Sequence, residues 1–165
     1  MPQYDIGFAA KLAQVADELD GKEPHNYDAR RVVVYLSRVS AEITMKSLLE
    51  NAGKPLNEIR ANSHNLSKLL ADLSECEIKD EIEPNIFLWR SASCVKDLYV
   101  DLGFVHIPIG TLIEAEKLGT SVYPNQIRYG EAVIDMEPSF LATMATILVG
   151  WAKRYLNLIR LKQLN

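Results

Sequence analysis

Arg60 and His64 stand with three residues between them, and the chain runs on as Asn65-Leu66-Ser67-Lys68-Leu69-Leu70. A guanidinium beside a titratable imidazole suits metal-independent RNA cleavage, in which histidine moves the proton of a ribose 2′-hydroxyl and arginine stabilises charge on the phosphate. In a continuous helix the two side chains share one face, a turn apart. If Ser63 caps a helix instead, Arg60 falls in the preceding loop. The structural alternative is a hydrogen-bonded histidine at a helix start.

Tyr123, Arg128 and Tyr129 form a second group, with one guanidinium and two aromatic faces for a phosphate and a base. The alternative pairs Arg128 with Glu131 or Asp135 and lets the tyrosines cover one end of the molecule. Arg60, His64 and Arg128 are expected to converge on one pocket. Arg30, Arg31 and Arg38 are further candidates, because Arg31 and Arg38 are seven apart on one helix face, but they are expected on solvated surface. Cys76 and Cys94, with His25, His64 and His106, lack zinc-site spacing, and neither a disulfide, a metal nor a cofactor is expected. There is no P-loop, GxSxG, HExxH or dinucleotide fingerprint. Glu42 and Glu50 lack the Glu-x-x-His pairing of di-iron bundles.

These residues belong to a chain of 165, with 48% hydrophobic and 24% charged residues, enough for one domain that buries ~70% of its unfolded surface. Eighteen basic against 22 acidic residues give a formal charge of −4, which excludes a uniformly basic nucleic-acid surface. The opening MPQYDIGFAAKLAQVADELDG has no basic start and no long apolar run, so it does not read as a secretory signal, and a cytoplasmic setting is expected. No apolar stretch approaches the ~20 residues of a membrane span.

Apolar residues recur at three and four positions, and the chain reads as all-α. Phe8, Leu12, Val15 and Leu19 stripe a first helix that ends at Gly21. A second runs from Asn26 or Asp28 to Gly53, with Val32, Leu36, Val39 and Ile43 as its stripe. Ser63 or Asn65 caps a third, whose Leu66, Leu69, Leu70 and Leu73 share a face. A fourth is expected from Pro84, lined by Phe87, Cys94 and Leu98 and ending at Gly103. Residues 104–136 read as an irregular insertion with one short helix, opened by Thr111 and Glu114 in capping-box spacing and closed at Gly119. The last helix is expected from Pro138 to Lys162, about 37 Å long. Lys153, Arg154, Arg160 and Lys162 near its end favour the macrodipole, with phosphate binding as the alternative.

The long second helix ARRVVVYLSRVSAEITMKSLLENAGK, the His64-Asn65-Leu66 element opening the third, and Tyr123-Pro124-Asn125-Gln126-Ile127-Arg128-Tyr129 before the last together resemble the HEPN family. The likeness spans roughly residues 5 to 160. It implies an antiparallel bundle of four or five helices that dimerises. The function it implies is nucleotide binding, RNA cleavage, or partnership with a small nucleotidyltransferase. RNase-active members place four to six residues between Arg and His, usually by the last helix. Here three lie between Arg60 and His64, at the third helix, and no histidine follows Arg128. The expectation is therefore a non-catalytic binding protein for a nucleotide, a phosphate-bearing ligand or a protein partner. A toxin-like endoribonuclease using Arg60 and His64, and a structural helical adaptor, are the alternatives.

Overall fold

The computed structural model describes residues 2–103, 106–119 and 137–164. Tyr123, Arg128 and Tyr129 lie outside the described residues.

Helix α1 (Ile6–Lys22) starts where the Asp5 carboxylate accepts hydrogen bonds from Gly7 N and Phe8 N, satisfying donors that a helix start leaves open. Asn26 does the same for α2 (Tyr27–Ala52) through Ala29 N at 2.8 Å. Gly53, at φ +99°, ends α2, and Lys54 N reaches back to Leu49 O; a side chain would strain that left-handed position. The short α3 (Leu56–Ala61) follows, pinned by fully buried Ile59. Asn65, not Ser63, caps α4 (Leu66–Ser74), which buries Leu66, Leu69, Leu70 and Leu73 as its spacing requires.

The all-α expectation fails at residue 76. β1 (Cys76–Glu83) and β2 (Ile86–Ser91) form an antiparallel hairpin turning through Asn85 at φ +64°, and β2 takes the place of the start of the helix expected from Pro84. Pro84 sits in the turn instead of opening a helix, and Phe87 lies on β2. A 3-10 turn (Ala92–Asp97) holds Cys94. β3 (Tyr99–Asp101) pairs antiparallel with β4 (His106–Pro108).

α5 (Ile109–Gly119) begins two residues before Thr111, so the expected capping box is not its start. Glu114 instead accepts a hydrogen bond from the Ser67 hydroxyl. α6 (Pro138–Tyr155) is shorter than expected. The chain turns at Leu158, and β5 (Ile159–Leu161) adds to β1 with Cys76 opposite Leu161, completing a sheet in the order β2-β1-β5. Arg160 and Lys162 thus leave the helix end assigned to them, whereas Lys153 and Arg154 stay in the last turn of α6.

The main core joins α2, α4, β1, α5 and α6 through Met45, Leu48, Leu69, Leu73, Ile78, Leu112, Leu148 and Tyr155. Truncating one of its leucines to alanine costs about 2–5 kcal/mol. α1 packs on α2 and α6 through Ala9, Ala13 and Ala16, small enough for the Ser40 hydroxyl to reach Ala9 O at 2.7 Å. Its expected stripe is displaced by one ridge, and Phe8 stays 55% exposed.

Candidate functional site

His64 follows Ser63, whose φ of +51° reverses the chain between α3 and α4. That reversal aims the imidazole at α2, where Nδ1 lies 3.1 and 3.0 Å from the two oxygens of Glu42. Lys46, one turn along α2, donates to the same carboxylate at 2.8 Å. Both residues of this ion pair are buried, and the Lys46 ammonium also lies over the Tyr4 ring at 5.6 Å. One turn earlier stands Arg38, not on solvated surface as expected but 1% exposed. Burial lowers its pKa to about 10, against the opposing pull of Glu42, so it keeps its charge at neutral pH.

Arg30 pairs with Glu137 at 3.2 Å and Arg31 with Asp28 at 3.4 Å. Arg60 sits exposed in the last turn of α3, without a side-chain hydrogen bond or ion pair among the described residues. The expected Arg60–His64 pair is therefore divided between a helix end and the residue after a turn. Glu42 was the missing partner. Its place twenty-two residues upstream, on another helix, gave no signal.

A second constellation lies at the root of the hairpin. β1, β2, the 3-10 turn and the C-terminal segment bound a cleft of about 430 Å3, lined by Trp89, Arg90, Ser91, Ser93, Lys96 and Lys162 together with Ser74, Glu75, Cys76 and Glu77. The Ser91 hydroxyl donates to that of Ser93 at 2.9 Å and accepts from Ser93 N at 3.1 Å. Arg160 lies 3.9 Å over the Trp89 ring and reaches Glu77 at 3.5 Å, partly neutralising one lining acid. Arg90 is committed to Asp80. Lys96 and Lys162 enter no ion pair among the described residues, so two ammonium groups, three serines, an indole and the acids Glu75 and Glu77 share one concavity.

Asp80 also accepts from the Tyr155 hydroxyl at 2.5 Å, with Arg154 3.6 Å away. Burial alone would raise the Asp80 pKa; the hydrogen bonds from Tyr155 and Arg90 and the two guanidinium charges outweigh it and hold the carboxyl below its usual range. This cluster fastens β1 to α6.

Among the described residues no group of three His, Cys, Asp or Glu can hold a metal ion, and no helix is long and apolar enough to cross a membrane. Cys76 is buried, Cys94 half-buried, and neither is in a disulfide. Compared with protein-family models, curated proteins and solved structures, the chain matches none.

Proposed function

We propose that the protein is a HEPN-like, non-catalytic binding protein that recognises a nucleotide or another phosphate-bearing ligand and assembles as a homodimer. A cytoplasmic setting belongs to this reading, as does an RNA ligand or a small nucleotidyltransferase as alternative partner. The observation that carries it is the hairpin-root cleft, where Lys96 and Lys162 stand without ion-pair partners among the described residues beside Ser91, Ser93 and Trp89. Ammonium groups attract a phosphate as point charges, hydroxyls complete its hydrogen bonds, and the indole with Arg160 over it supplies an aromatic and cationic wall for a base. About 430 Å3 falls within the usual size of a small-molecule site. Arg60 and His64, with Arg128, remain a second place for such a ligand on this reading.

Thermal melts with and without millimolar ATP or GTP test it. At ten times Kd a bound ligand adds ~1.4 kcal/mol, or roughly 3–5 °C for a chain of this size. The shift should vanish in Lys96→Ala/Lys162→Ala. An unmoved curve for the unaltered protein contradicts the reading and leaves a structural helical adaptor.

One observation favours a second reading, the metal-independent endoribonuclease. Glu42 holds Nδ1 of an imidazole that is 42% exposed, and a carboxylate in that place fixes the ring for proton transfer. RNA incubated with the protein in EDTA should then be cut, with cleavage lost in both Arg60→Ala and His64→Ala. Intact RNA, or cleavage that survives both changes, removes the enzyme.

A further inference from the structure

Extending the homodimer of the reading above, we propose that the second copy seats on the outer seam between α1 and α2. Phe8, Leu12, Val15 and Leu19 recur at four, three and four along α1, and Val32, Leu36, Val39 and Ile43 repeat that spacing on α2. Such spacing makes a seam between helices. Yet the rows are only partly spent on the core, since the fully buried positions are Ala9, Ala13 and Ala16 of α1 and, beside the α2 row, Val33, Ser37, Ser40, Ala41 and Thr44. Phe8 is 55%, Val15 38% and Val32 43% exposed; the other five are half-buried.

The two rows border one surface. Leu19 and Leu36 both rest on the cluster of Ala16, Val33 and Ala142, and Ile43 rests on that of Ala9 and Ala13. Single exposed apolar side chains are ordinary, but two aligned rows of them are not. Seventeen residues of α1 run about 25 Å, and two helices side by side span about 20 Å, giving roughly 500 Å2 per copy. Two copies bury about 1,000 Å2, the size at which specific association begins.

Charge identifies the occupant as the same chain. With Leu12 and Leu19 at heptad position a, and Phe8 and Val15 at d, the exposed Lys11 and Glu18 both fall at g. Antiparallel packing of α1 on its copy about a two-fold axis sets Phe8 against Leu19 and Leu12 against Val15. The same register brings Lys11 of each copy beside Glu18 of the other. A face that complements itself in both shape and charge closes as a dimer and goes no further.

Sedimentation equilibrium of the full chain across micromolar to hundred-micromolar concentrations tests this. The expected mass is twice the 18.6 kDa of one chain. Phe8→Lys/Val15→Lys should give a monomer with unchanged circular dichroism, because both side chains already face solvent in the protomer. Lys11→Glu should weaken the dimer roughly five-fold or more, and adding Glu18→Lys should restore it. A dimer that survives Phe8→Lys/Val15→Lys, or a charge reversal without rescue, overturns this face while leaving a dimer. A monomer at every concentration overturns both the face and the homodimer.

Discussion

The Tyr155 hydroxyl donates to the Asp80 carboxylate at 2.5 Å, tying the last turn of α6 to β1 across seventy-five residues of sequence. Asp80 also receives Arg90 from β2, so one carboxylate fastens hairpin and helix together. Tyr155→Phe keeps the ring and removes only the donor. A hydrogen bond to a charged acceptor contributes about 1.5–3 kcal/mol, and urea denaturation should show a loss near the lower end of that range.

Asp80 has its folded-state pKa depressed, so its share of stability is complete above the unfolded carboxyl value near pH ~4 and disappears as pH falls through the lower folded value. Unfolding free energy followed down from pH 5 should therefore fall less steeply in Asp80→Asn than in the unaltered chain. Parallel slopes would show that Asp80 is not held below its ordinary range.

Glu42 and Lys46 are both nearly inaccessible, and removal of one buried ion-pair partner strands the other. Glu42→Ala should cost about 3–5 kcal/mol. His64→Ala, which removes a half-exposed ring, should cost about 1 kcal/mol. Lys46→Met with Glu42→Leu should recover much of the loss, as measured by a double-mutant cycle. Equal costs for Glu42→Ala and His64→Ala would show that the cluster is not organised around the carboxylate.

Cys76 is buried against α4 and β5, and burial is the main cause pushing its thiol up to about 11. The thiolate is the reactive species. At pH 8 a thiol reagent should modify Cys94 quickly and Cys76 only on unfolding, a ratio that peptide mass spectrometry reads directly.

Local signals announced the elements whose information is local. Asn26 and Gly53 bound α2 through hydrogen bonds within four residues, and the leucines of α4 fall on one face because α4 touches the core along one side only. The hairpin escaped because alternation in β1 is limited to Cys76 and Ile78; beyond Asp80 both faces of the strand meet solvent. On β2, Ile86-Phe87-Leu88 run unbroken yet remain exposed, so hydrophobicity there does not report burial. β5 has three residues, and its pairing to Cys76, Glu77 and Ile78 is what makes it a strand. Neither site was readable for the same reason. His64 was visible but Glu42 lay on another helix, and the cleft gathers residues from Ser74 to Lys162 that only the sheet brings together.

Isothermal titration with AMP, and with pyrophosphate as the probe lacking a base, measures the binding claim most directly. Saturable heat with Kd below about 1 mM is expected for AMP. Affinity should fall at least ten-fold, about 1.4 kcal/mol, in a Lys96→Ala/Lys162→Ala protein whose melting temperature is unchanged. No heat from either probe, or an affinity indifferent to the loss of both lysines, would contradict it.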